Sequence, residues 1–234
     1  MYILQKINAW EKEILIMTIY KKFLAAREPM SSYTHFIGAC FAVIATFLLI
    51  GKVLTQEIIN PTTLTSAIVF GLSMVALYST SSIYHFVNVS KQALVRLRKL
   101  DHSMIYVLIA GTYTPIVVGF MEPKRAFIFL AAVWGVAFLG ILVKLCWLNA
   151  PRWFYTSLYL LMGWAVVFDW EFLKMIPLGC ITLVAIGGVM YSIGAGFYIA
   201  KKPESDFFGF HEIFHIFVIL GTVFQFLAIF LYAV

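Results

Sequence analysis

"FHEIFHIFVILGTVFQFLAIFLYAV", residues 210–234, holds no Asp, Glu, Lys or Arg after Glu212. About 20 apolar residues, rising 1.5 Å each, carry an α-helix across the hydrocarbon core of a bilayer. The stretch therefore reads as a membrane span over roughly 210–233, and windows at roughly 35–54, 63–85, 103–121, 126–147, 153–172 and 176–199 meet the same requirement. Composition agrees, because 62% of the 234 residues are hydrophobic and only 12% are charged, with a mean hydropathy of +0.94. The expectation is an all-α, integral membrane, seven-transmembrane helix bundle over residues 30–234, with links too short for a second domain.

Residues 1–29 differ from the rest. "NAWEKEILIMTIYKKFLAAREP" (8–29) alternates apolar side chains with Lys and Glu, so it reads as an amphipathic helix on the inner membrane surface, ended by Pro29. The segment lacks the pattern of a cleavable signal peptide, and the first span is expected to act as its own insertion signal. Of the 17 Lys and Arg residues, all but Lys52, Lys124, Arg125 and Lys174 fall in the N-terminal segment and in the second, fourth and sixth links. That asymmetry predicts a cytoplasmic N-terminus and an outside C-terminus. The net charge of +6 is then a topology signal and an attraction to anionic lipid at the cytoplasmic face, not a nucleic-acid footprint. Cys40, Cys146 and Cys180 lie in predicted spans without metal-type spacing and suggest no disulfide framework.

Polar groups inside a greasy helix need a reason. His211 and His215 are four residues apart at the start of the last span, on one helix face; His85 closes the second span, one helical turn after Ser81; Asp101 opens the third. The predicted topology puts all of these at the cytoplasmic end of their helices. An i,i+4 histidine pair joined by a third histidine from a neighbouring helix can hold one metal ion, with the open coordination of catalytic zinc. Blander readings compete for each residue. Asp101 could be the N-cap of the third helix, Ser81 could bond its own helix, and His211 or His35 could be an interfacial residue. His102 is expected to face the headgroups, because it points about 100° away from Asp101.

Two packing features stand out. Gly188, Ser192 and Gly196 form a small-residue stripe suited to close helix approach inside the bundle or between copies. Pro115 removes one backbone hydrogen bond from the third span, where Thr112 or Thr114 could satisfy the freed carbonyl.

The segments "EPMSSYTHFIGA" (28–39), "SSIYHF" (81–86), "LRKLDHSMIYVLIAGTYTP" (97–115) and "HEIFHIFVILG" (211–221) resemble the bacterial hemolysin III branch of the progestin and adipoQ receptor family. The wider superfamily includes the adiponectin receptors and alkaline ceramidases. The resemblance implies that His85, His211 and His215 bind zinc (Zn2+), that Asp101 reaches the ion through a water with Ser81 beside it, and that Glu28 and His35 belong to the same site in less defined roles. One departure is Gln225, at a position where members often carry a further histidine.

Two functions follow as expectations. One is a zinc-dependent hydrolase of lipid amide or ester bonds at the cytoplasmic leaflet of a bacterial inner membrane, with Asp101 and Ser81 as catalytic groups and a membrane lipid as substrate. The other is a non-enzymatic, zinc-stabilised regulator or sensor of membrane homeostasis; a cytolytic protein fits less well. A retinal protein would need a buried lysine in the last span, which has none. A zinc transporter would need polar groups along a crossing path.

Overall fold

The computed structural model describes residues 25–205 and 208–234. The amphipathic helix expected over 1–29 thus falls, up to residue 24, outside the described residues. Every regular element among those described is helical: α1 (Pro29–Leu54), α2 (Pro61–Phe86), α3 (Lys91–Phe120), α4 (Pro123–Cys146), α5 (Arg152–Gly163), a 3₁₀ turn (Ala165–Phe168), α6 (Trp170–Met175), α7 (Leu178–Ala200) and α8 (Phe210–Ala228), which runs on as a π-helical turn (Ile229–Ala233).

The helix starts follow local chemistry. Pro29, Pro61 and Pro123 occupy first-turn positions, where a missing N–H costs nothing. The side chain of Asn60 accepts from the amides of Thr62 (2.9 Å) and Thr63 (3.4 Å), and that of Glu122 accepts from Lys124 and Arg125, both at 3.1 Å, so otherwise orphaned donors are satisfied. Ser90 caps α3 through the Ala93 amide at 3.3 Å. This helix therefore begins well before the apolar window, and Asp101 lies within it and is not its N-cap.

Six of the helices, α1 to α4, α7 and α8 with its π turn, are long and apolar enough to cross a membrane. Their outward surfaces are greasy: Phe47 is 72% exposed and Phe127 75%, the reverse of a water-soluble bundle and the signature of a lipid-facing surface. The window expected as one span over 153–172 is broken. The 12 residues of α5 reach only about 18 Å, after which the chain tightens into the 3₁₀ turn and restarts at Asp169, whose carboxylate caps α6 at the Phe172 amide (3.0 Å).

Sequence neighbours pack side by side, most extensively α1 on α2, α2 on α3 and α7 on α8, and α1 against α8 closes the arrangement. Two of the three small residues on α7 pack inward: Gly188 lies against the Trp164 ring, and the Trp164 indole N–H donates to Ser192 at 3.0 Å, while Gly196 is exposed. The expectation for Pro115 needs correcting. Thr114 and Thr112 donate to the carbonyls of Ala110 (2.9 Å) and Leu108 (2.8 Å), not to the carbonyl of Gly111, and α3 runs through the proline without a break.

Candidate metal centre

The end of α2, the start of α8 and the start of α1 meet at one place. Arg27 and Glu28, just ahead of α1, strap the C-terminus of α2: the Arg27 amide donates to the Phe86 carbonyl (3.1 Å), the Glu28 amide to that of His85 (3.0 Å), and the Arg27 guanidinium to that of Tyr84 (2.8 Å). These are carbonyls that the helix itself leaves without partners. On the other side the Glu212 carboxylate accepts from the Gly209 amide at 2.8 Å and from the Ser31 hydroxyl, tying the first turn of α8 to α1.

Inside this frame His85, His211 and His215 converge, with one nitrogen from each lying within 4.8 Å of the others. His85 and His215 are each 2% exposed. Neighbouring acceptors set their tautomers. The Nδ1–H of His85 donates to the Glu28 carboxylate, and that of His215 is held between the Ser31 carbonyl (3.2 Å) and the Thr34 hydroxyl (3.1 Å). Each ring keeps its proton on Nδ1 and turns an Nε2 lone pair inward. The His85 and His211 Nε2 atoms stand 3.3 Å apart, about the edge of a tetrahedron whose metal–nitrogen bonds are ~2.0–2.1 Å. No cysteine completes the set: Cys40 and Cys146 are exposed and Cys180 is buried elsewhere. The three histidines could thus hold a metal ion, and the donor set fits zinc with one position open.

Outside the histidines, half-burial pushes the Glu28 carboxyl up. The hydrogen bond from His85 and the Arg27 guanidinium nevertheless hold that carboxyl below its ordinary value. His35 is 3% exposed and stacks on His215 at 3.5 Å between ring centres, with both ring nitrogens buried and unpartnered.

A cavity of about 180 Å³ opens beside the cluster, lined by His35, His211 and His215 and by Ser81 and Asp101. The Ser81 hydroxyl stands beside the buried Asp101 carboxylate and interacts with it. His102 is corrected as well: it lines this cavity, with Nε2 4.0 Å from the Asp101 carboxylate. Of the candidate residues, His35, Ser81, Asp101, His211 and His215 line this cavity, while His85 adjoins it through the histidine cluster and Glu28 through its hydrogen bond with His85. Ser31 and Thr34 were not singled out from the sequence, although they lie one helical turn apart within "EPMSSYTH" and share that segment with Glu28 and His35. Gln225 lines the deeper part of the cavity and donates to the Val184 carbonyl at 3.1 Å.

A multi-pass helical membrane protein with a buried three-histidine cluster beside a lipid-accessible bundle is the class these features define. The family model described as Haemolysin-III related matches residues 23–226, and the chain belongs to that family. It is 33% identical over 213 residues to the Hemolysin-3 homolog of Bacillus subtilis (strain 168), covering 91% of this chain and 97% of the relative. It is 31% identical over 207 residues to Hemolysin-3 of Bacillus cereus, covering 88% and 91%. Heptahelical transmembrane protein 1 of Arabidopsis thaliana is 27% identical over 244 aligned positions, covering 91% of this chain and 71% of the relative.

Proposed function

We propose that the protein is a zinc-dependent hydrolase of lipid amide or ester bonds, acting at the cytoplasmic leaflet of a bacterial inner membrane from a seven-span bundle with its N-terminus inside. The observation that carries this reading is the shared cavity: Asp101 and Ser81 line the same space as His211 and His215. A metal needed only to pin α2 to α8 would not call for a buried carboxylate and hydroxyl there.

Bound by His85, His211 and His215, zinc would supply an activated water and polarise a carbonyl. Asp101 takes the proton of the attacking water at its carboxylate and passes it to the departing amine or alcohol. Ser81, beside that carboxylate, orients it. The aliphatic lining of the cavity, which includes Leu108, Ile109 and Val218, keeps bulk water from the site and accepts the start of an acyl chain.

The test is release of free fatty acid from lipid amides and esters by full-length protein in nanodiscs. Asp101→Asn is expected to cut turnover about 10²–10⁴-fold with metal content retained. A metal-loaded wild type that releases nothing from either class sinks the hydrolase reading. The regulator reading draws on the way Glu28 and Ser31 tie the metal-binding ends of α2 and α8 to α1. It requires that Asp101→Asn leave every property of the protein intact while the histidine variants do not.

A further inference from the structure

The lining of the cavity includes a second group of side chains that the hydrolytic chemistry does not use. Arg98 on α3, Lys144 near the end of α4 and Arg152 at the start of α5 all line the space. No ion pair among the described residues involves any of the three. The only carboxylate among the described lining residues is that of Asp101, so this wall carries an excess of positive charge.

Membrane topology alone does not explain that burial. Positive-inside signals work from solvated links, whereas Lys144 is 1% exposed and sits within the apolar run "FLGILVKLCW". The close partner of its ammonium is the face of the Tyr155 ring, 3.4 Å away. A cation–π contact stabilises an ammonium but leaves its N–H donors free. Arg152 is similar: its guanidinium lies over the Tyr198 ring at 4.9 Å and the Phe210 ring at 5.2 Å, while its Nη1 is buried without a hydrogen-bond partner. Buried cationic donors without acceptors are costly, and an anion in the cavity would satisfy them. The wall is also close to the histidines, since the Tyr198 ring that carries Arg152 lies 5.8 Å from the ring of His211.

We infer that Arg98, Lys144 and Arg152 form a binding site for the phosphate of a lipid headgroup. Two planar guanidinium forks with an ammonium suit the spread oxygens of a phosphate better than the two oxygens of a lone carboxylate. The greasy remainder of the cavity suits an amphiphile. In a glycerophospholipid the phosphate and the acyl ester carbonyls are joined by a three-carbon backbone, which lets one headgroup rest on the basic wall while an ester approaches the histidines. The inference names a substrate class for the hydrolase reading and rests on it for the fate of the lipid; binding itself needs no turnover.

The experiment is native mass spectrometry of the full chain in detergent, titrated with phosphatidic acid, with diacylglycerol of the same chains and with inorganic phosphate, zinc content being followed in parallel. Phosphatidic acid is expected to bind about tenfold or more tightly than diacylglycerol. Arg152→Gln and Lys144→Met each remove that preference with zinc retained, and Lys144→Arg keeps it. Arg96→Gln, which removes an exposed cation two residues from Arg98 on α3, leaves it unchanged. Equal binding of the two lipids overturns the inference, as does an Arg96→Gln loss as large as that of Arg152→Gln, which would mark surface attraction. Inorganic phosphate competing at concentrations equal to the lipid overturns it too, by marking a site for the free anion. If Lys144→Met fails to fold, Arg152→Gln decides. Phosphate-selective binding without fatty-acid release would defeat the hydrolase reading alone, while release from uncharged lipids without phosphate-selective binding would defeat this one alone.

Discussion

Glu28 grips His85 twice: its backbone amide donates to the His85 carbonyl at 3.0 Å, and its carboxylate accepts the Nδ1–H of the same residue's imidazole. The first contact finishes the α2 helix and the second fixes which ring nitrogen faces the other histidines. The two roles are separable. Glu28→Gln keeps the amide contact and weakens the acceptor behind the imidazole, so zinc affinity is expected to fall about 10–100-fold. Thermal unfolding of the metal-free protein should hardly move. Zinc titration against a competing chelator, with melting curves of the stripped protein, checks both halves.

The ligand set makes its own forecast for metal content. Plasma mass spectrometry of purified protein should find one zinc per chain in wild type, and His85→Ala or His211→Ala should lose it. Asp101→Ala should keep it, because that carboxylate lines the cavity outside the histidine cluster. Gln225→Ala should keep it too, since its side chain turns to the Val184 carbonyl. Histidine variants with undiminished zinc would exclude this centre.

How far the sequence was legible depended on the kind of signal. Apolar length located the long helices, since twenty greasy residues have one stable arrangement in lipid. The same averaging missed the amphipathic start of α3, where "KQALVRLRKL" (91–100) is too charged to register although Ser90 stands ready as its cap; Asp101 therefore looked like a helix start. It also joined α5, the 3₁₀ turn and α6 into one span, because hydropathy sums over Trp164–Phe168 carry no information on local winding. The histidines were legible because a polar group inside lipid has to be explained. Lys144 was read as a topology signal because its burial arises from the packing of α3, α4 and α5 around the cavity, which no single segment reveals.

Deep in the bundle, the Thr222 hydroxyl lies 2.6 Å from the Tyr78 hydroxyl and 2.8 Å from that of Tyr191, and it donates to the Val218 carbonyl at 3.0 Å. Thr222→Val keeps the shape, strands the Tyr191 hydroxyl in an apolar interior and leaves that of Tyr78 with only its 3.4 Å contact to the Val218 carbonyl. A loss of about 1–2 kcal/mol is expected, seen as a lower melting temperature in detergent with zinc stoichiometry unchanged. An unchanged melting temperature would mean that the tyrosines find other acceptors.

The stripe on α7 tests whether small residues are there for packing within the bundle or between copies. A methyl group added at Gly188 would meet the Trp164 ring at 3.0 Å, whereas one added at Gly196 meets nothing within 4 Å. Gly188→Ala must push the indole outward and strain its hydrogen bond to Ser192, at a cost of about 1–3 kcal/mol. That cancels or exceeds the ~1 kcal/mol that alanine otherwise gains over glycine in a helix. Gly196→Ala keeps that gain and should raise the melting temperature slightly. If the stripe served dimerisation, the ranking would turn on oligomeric state, and Gly196→Ala would shift the protein towards monomer in size-exclusion chromatography with light scattering. The contact of Gly188 with Trp164 predicts no such shift for Gly188→Ala.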